Sequence, residues 1–200
     1  METLFNKGYY KILQLFYSQK SAKIHLREIG RRTKLNENSV SIFLKKLEKH
    51  KIISSMKEGN LKKYGLMQND KVYNVLAYFD VLRFTTLPHI RQSAILQFLD
   101  ALDEKPVIAL LFGSTAKQTA TQESDIDVLL IVNKKIQTKE AIKRVDAQTA
   151  QKISDFQVTM KEFMQELKLK QDHVVQSAIQ TGFPLTNHLT YYRGMYYENV

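Results

Sequence analysis

The stretch VIALLFGSTAKQTATQESDIDVLLIV, Val107 to Val132, limits more than any other what this chain can become. Two apolar runs, Val107 to Phe112 and Ile126 to Val132, read as strands. Between them lies a polar segment that opens on Gly113-Ser114 and closes on Asp125-Ile126-Asp127. Successive side chains of a strand point to opposite faces, so Asp125 and Asp127 share one face and Ile126 takes the other. Two carboxylates held that close repel unless a cation sits between them. Mg²⁺ suits such a pair, because it binds carboxylate oxygen and keeps positions for water and phosphate. Gly113 permits a turn and a close backbone approach that a side chain would block. Ser114 adds a hydroxyl and a backbone N–H at the start of the following helix, a setting that suits a phosphate.

Gly113, Ser114, Ala116, Lys117 and then Ser124, Asp125, Ile126, Asp127 keep the order and spacing of a longer pattern: Gly-Ser-x-Ala-Arg/Lys-Gly, a short spacer, Ser-Asp-Ile/Leu-Asp, and a hydrophobic strand. This resembles the signature of the DNA polymerase beta-like nucleotidyltransferase superfamily, closest to its minimal nucleotidyltransferase branch. Gln118 departs from it, standing where the family usually has glycine. The resemblance runs from Lys105 to the C-terminus. It implies an NTP whose triphosphate lies over Gly113 and Ser114 with help from Lys117, Mg²⁺ held by Asp125 and Asp127, and attack by an acceptor hydroxyl on the α-phosphorus. It also implies a third carboxylate on the next strand, Ser154 to Met160. Asp155 is the acid available there, with Gln157 on the same face as the alternative occupant.

The chain of 200 residues carries a net charge of +10, and its placement is uneven. Residues 1–70 hold 15 Lys+Arg against 6 Asp+Glu; the rest hold 15 against 14. A basic module beside a near-neutral one is the footprint of a nucleic-acid-binding domain joined to something else. Its pattern agrees. A helix is expected over Asn6 to Gln19, a short extended piece at Ile24 and Leu26, a helix over Arg27 to Lys34, and a longer helix Glu37 to His50 capped by Asn36. Ile52 to Leu66 reads as a hairpin turning at Glu58-Gly59-Asn60. These residues look like those of winged helix-turn-helix regulators, in which the second helix of the pair enters the major groove of double-stranded DNA. Glu37, Asn38, Ser41, Lys45 and Lys46, with Ser39 near the N-terminal end, are then the groove-side candidates. Lys57, Lys62 and Lys63 of the wing would face the phosphate backbone.

Two further helices, Lys71 to Phe84 and His89 to Leu102, are separated by Thr85, Thr86 and Pro88 and read as a connector through which a homodimer would form. Beyond the Asp pair the spacing predicts a helix over Thr138 to Ile153, the strand Ser154 to Met160, one or two helices over Lys161 to Thr181, and an aromatic strand or tail. That last run holds Tyr191, Tyr192, Tyr196 and Tyr197. With no cysteine, no apolar run long enough to span a bilayer and no signal-peptide pattern, the expected setting is cytoplasmic. The five histidines have no ligand spacing.

The fold class expected is α+β in three parts: a winged helix-turn-helix over 1–68, a helical connector and dimerisation segment over 69–104, and a small mixed-sheet nucleotidyltransferase fold over 105–200. Two functions remain open. One is a DNA-binding protein that binds NTP and Mg²⁺ and transfers a nucleoside monophosphate to a hydroxyl. The other is a regulator or antitoxin-like protein whose nucleotidyltransferase fold senses a ligand or docks a toxin-like or other protein partner.

Overall fold

The structure, a computed structural model, describes residues 6–196; Tyr197 lies outside them. The chain divides into two compact units, Met1–Phe79 and Asp80–Val200. Among the described residues no helix is long and apolar enough to cross a membrane.

The first unit runs α1 (Lys7–Ser18), β1 (Ile24–His25), α2 (Leu26–Thr33), α3 (Glu37–Lys49), β2 (Ile53–Glu58), β3 (Leu61–Leu66) and the start of α4 (Asp70–Thr85). This is the winged helix-turn-helix order, and β1, β3 and β2 form one antiparallel sheet. Local chemistry sets the helix starts. Asn6 accepts from the Gly8 N–H at the head of α1, and Asn36 accepts from the Ser39 N–H at the head of α3. Each satisfies a donor that has no partner within the helix. Lys34, in the left-handed region, ends α2 and makes the tight turn. Ile12, Phe16, Ile29, Val40, Leu44 and Ile53 are the closed core, joined by Leu76 and Phe79 of α4. Phe79 also stacks on Tyr17 at 5.2 Å between ring centroids.

The second unit takes the rest of α4, then α5 (His89–Ala101), β4 (Ile108–Phe112), α6 (Gly113–Lys117), β5 (Ile126–Val132), α7 (Lys139–Thr149), β6 (Ile153–Thr159), α8 (Met160–Leu169), α9 (His173–Thr181), β7 (Phe183–Pro184) and α10 (His188–Tyr196). Its sheet is mixed, in the order β6-β5-β4-β7, with β5 and β6 parallel and the other pairs antiparallel. On one face Ala109, Leu111, Val128, Leu130 and Ile153 pack with Ala94, Ile95 and Phe98 of α5 and with Ala141 and Val145 of α7. The other face carries Phe112, Asp127, Leu129, Ile131, Ser154 and Phe156, as the pairing register requires.

Several expectations are revised. Helix α5, read as connector, contributes its apolar stripe to the core of the second unit, and α4 is divided between the units at Phe79 and Asp80. The helix before β6 ends at Thr149 rather than Ile153, because Ala150 turns into the left-handed region and Ile153 already belongs to the strand. The tyrosine run is a helix, α10, not a strand: Tyr191 and Tyr192 are buried by it, and Tyr192 donates to the buried Asp80 carboxylate at 2.8 Å. Burial and the Asp80 charge push the Tyr191 phenol upward. The edge strand β7 was not legible at two residues. Gly182 precedes it, and a Cβ there would stand 2.4 Å from the Ala178 carbonyl oxygen and 2.5 Å from that of Leu111.

Candidate functional site

Strand β4 runs extended to Phe112 and turns at Gly113, whose φ of +68° is open to glycine at little cost. A Cβ on Gly113 would lie 2.0 Å from Asp127 Oδ2. The Asp127 carboxylate therefore rests directly on the Gly113 turn, and Phe112 and Asp127 are partners across β4 and β5. Gly113→Ala is expected to cost about 1–2 kcal/mol from the left-handed backbone alone. It would also push Asp127 away. Urea unfolding of the full chain reads the first effect, and loss of ligand-induced stabilisation reads the second.

Asp125 is exposed just before β5, and Asp127, one residue inside it, is half-buried. Burial, and then the Asp125 charge, raise the Asp127 carboxyl above its ordinary value. Among the described residues neither carboxylate has a hydrogen-bond or salt-bridge partner, and no third His, Cys, Asp or Glu joins them to hold a metal. Two unpartnered, mutually repelling carboxylates fit a hard divalent cation whose remaining ligands are phosphate oxygens and water. Ser114 lies in the first turn of α6, whose N-terminus is capped by no side chain. Lys117 is exposed at the other end of that turn. Gln118, at φ 60°, shows why a glycine suits this position: the backbone is left-handed, and the Gln118 amide donates to Thr86 Oγ1 at 2.6 Å.

The structure does not bring Asp155 to this pair. Asp127 is paired with Ser154 and Val128 with Asp155, so Asp155 belongs to the sheet face of Val128, opposite Asp127. There its Oδ2 accepts from the Gln157 amide at 3.0 Å, and Gln157 in turn holds both the N–H and the carbonyl of Ile136. Ser154 and Phe156 take the places on β6 that face the Asp pair.

What the sequence reading missed is how the aspartates are held. Arg91 of α5 is buried, yet no salt bridge is made to it among the described residues. It donates to Thr115 Oγ1 at 2.6 Å and to the carbonyls of Thr121 and Ser124 at 2.7 and 2.9 Å. It thereby fastens the loop leading into Asp125. The signal was present: Arg91 is in register with Ala94, Ile95, Phe98 and Leu102, an arginine on an apolar stripe. Arg83 does similar work, donating to the carbonyls of Ala116 and Thr181 at 2.7 Å each and lying over the Phe183 ring.

In the first unit, Asn38, Lys45 and Lys46 are exposed along α3, with Ser39 and Ser41 half-buried and Ile42 56% exposed beside them. The wing lysines separate. Lys57 and Lys62 are cross-strand partners on one face, whereas Lys63 lies on the other and pairs with Glu58. Lys62 contacts Glu48 of α3 at 3.2 Å, and the Ser55 hydroxyl also donates to Glu48. Glu48 thus ties the wing to α3.

Residues 94–187 match the family model described as "Polymerase beta, Nucleotidyltransferase". The segment contains Gly113, Ser114, Lys117, Asp125, Asp127 and Asp155, so the second unit holds a nucleotidyltransferase-like domain. Comparison with curated proteins gives no match. Among solved structures the chain is similar to MepR, a transcription regulator of the Staphylococcus aureus multidrug efflux pump MepA, at 20% identity over 46% of this chain and 71% of that chain, with a TM-score of 0.35. It is similar to a homodimeric winged helix-turn-helix DNA-binding domain from Mycobacterium bovis, at 23% identity over 40% and 69%, with a TM-score of 0.33. A further likeness is to AF1382 from Archaeoglobus fulgidus, at 21% identity over 42% and 91%, with a TM-score of 0.36.

Proposed function

We propose that the chain is a DNA-binding regulator whose second unit binds a nucleoside triphosphate together with Mg²⁺. The observation that carries this reading is the pair of unpartnered carboxylates, Asp125 and Asp127, set against the Gly113 turn. The turn admits a phosphate close to the backbone, and Ser114 offers its hydroxyl. Asp125 and Asp127 would hold the cation, and Lys117 is placed to meet an outer phosphate. When bound, Mg²⁺ supplies positive charge that offsets that of the phosphates. With two carboxylate ligands instead of three, the cation and the nucleotide are expected to bind as one unit, each supplying what the other lacks.

Sensing rather than catalysis is the reading favoured by Asp155, which is turned to the other face and leaves no third acid beside the pair among the described residues. The second reading, nucleotidyl transfer to a hydroxyl acceptor, is favoured by the intact Gly-Ser and Asp-x-Asp elements. Incubation with Mg²⁺ and labelled NTPs, with and without whole-cell extract, tests it: a labelled product lost in Asp127→Asn establishes transfer, and binding without product establishes the sensor.

In the first unit, α3 with Asn38, Ser39, Ser41, Lys45 and Lys46 would enter the major groove of double-stranded DNA, and Lys57 and Lys62 would meet phosphates. Binding as a homodimer, the arrangement named for the Mycobacterium bovis domain, would present two such helices to paired half-sites. Lys57→Ala is expected to weaken binding to all sequences alike and to reduce the slope of log affinity against log salt by about 1. Lys63→Ala should leave that slope unchanged, since Lys63 faces away and is occupied by Glu58. Equal slopes in wild type and Lys57→Ala would remove the wing from the interface.

A further inference from the structure

Phe156 lies on the Asp127 face of the sheet and is 38% exposed. A large ring left that open within a sheet keeps apolar surface in contact with water that burial would remove. Register gives its surroundings. Ser154, two residues earlier on β6, is the partner of Asp127, and Phe156 is the partner of Leu129. Across β5 from them, Phe112 is the partner of Asp127 on β4. Strands β4 and β6 are not neighbours, so their backbones stand roughly 10 Å apart. Even so, the Phe112 and Phe156 rings approach to 5.8 Å between centroids at an interplanar angle of 63°. The two rings therefore meet over β5, beside Asp127. Phe112, at 6% exposure, is the buried support, and Phe156 presents the open surface.

We infer that Phe156 is the stacking surface for the base of the nucleotide bound at Gly113, Asp125 and Asp127; the inference rests on the site reading above. On the Asp127 face of β6, where a third carboxylate would have to stand to share the cation, the chain has Ser154 and the Phe156 ring. An exposed ring beside a phosphate and cation site adds affinity for the planar part of the ligand and none for its phosphates. Because every base has a π-face, such a ring strengthens binding without choosing among bases. Its edge contact with Phe112 fixes its orientation before the ligand arrives, so little rotamer freedom is lost on stacking.

The test is calorimetric titration of the full chain with each of the four Mg²⁺-NTPs and, separately, with Mg²⁺-tripolyphosphate, which has no base. Phe156→Leu keeps an apolar side chain but removes the π-face. It is expected to lose about tenfold in affinity for all four NTPs while holding tripolyphosphate as the wild type does. Phe156→Trp should bind the NTPs at least as tightly as the wild type. Unchanged NTP affinity in Phe156→Leu overturns the inference. So does an equal loss toward NTP and tripolyphosphate, which would make the ring a support of the phosphate site instead. A wild type that binds tripolyphosphate as tightly as NTP overturns stacking alone. A wild type that binds neither overturns the site reading, and this inference with it.

Discussion

Asp125→Asn with Asp127→Asn is expected to abolish the stabilisation of the second unit by Mg²⁺ and NTP while leaving the free protein at least as stable as the wild type. In the wild type, ligand at about 100 times its dissociation constant adds about 2.7 kcal/mol, a rise in melting temperature on the order of 10 °C for a unit of this size. Because the pair supplies only part of a coordination sphere, Mg²⁺ alone should raise the melting temperature far less than Mg²⁺ with NTP. Differential scanning calorimetry with each component separately measures all of this. Equal shifts in wild type and double variant would sink the clamp.

The same pair predicts a pH dependence in the free protein. The folded state raises the Asp127 carboxyl above its ordinary value, so it binds that proton more tightly than the unfolded chain does. The contribution of Asp127 to stability is therefore greatest at low pH, where it is protonated in both states, and is lost as pH rises through its raised folded value. At neutral pH its charge opposes folding. Asp127→Asn should accordingly be more stable than the wild type at pH 7, and the difference should close as the solution is acidified. Melting temperatures of both proteins across the acid range check the sign, and a gap that widened on acidification would contradict it.

Arg91→Ala is expected to have the largest effect on stability of any single substitution around the site, about 3 kcal/mol. It strips a buried charged donor from Thr115 and from two carbonyls, and it opens space beneath the loop. Since Thr121 and Ser124 would lose their anchor, Asp125 should lose its position and the ligand-induced shift should shrink as well. Arg91→Lys should recover little, because a single ammonium cannot span acceptors that the guanidinium reaches from two nitrogens. The contrast is Arg31→Ala. Arg31 pairs with Glu28 at 2.7 Å but on an exposed helix face, and its loss should stay within about 0.5 kcal/mol. Urea unfolding of the three variants ranks them. A cost for Arg91→Ala no larger than that for Arg31→Ala would show that the loop holds itself.

What was legible in the sequence follows from what periodicity encodes. The helices of the first unit announce themselves by one apolar face and strands β4 and β5 by continuous apolar runs, with ends marked by capping or turn residues such as Asn6, Asn36 or Gly113. The Asp pair was legible because its members stand two residues apart at the start of an apolar strand, Asp127 within β5 and Asp125 just before it, where alternation predicts a common face. Asp155 was not, since its face depends on how β6 is registered against β5, and a slip of one residue would send it to the other side. Nor was the role of Phe156, for the same reason. Arg91 was hidden differently: its place on an apolar stripe was visible, but two of its three acceptors are the backbone oxygens of Thr121 and Ser124, which leave no trace in a pattern of side chains. The closing tyrosines suit a strand by composition, and the burial of Tyr191 and Tyr192 on a helix is tertiary packing overriding local preference.

The Glu48 contact has a consequence for how the first unit would respond to its ionic surroundings. Lys62 already has an anion at hand in the free protein, so in the proposed complex a DNA phosphate arriving there would displace Glu48 rather than a dissolved counterion. The wing lysine would then add less to the entropy of ion release than a bare lysine, and binding is expected to be less sensitive to salt than a count of lysines suggests. In such a complex Glu48 would be a built-in competitor, a carboxylate that sets how strong a phosphate field must be before the wing lets go of its own helix.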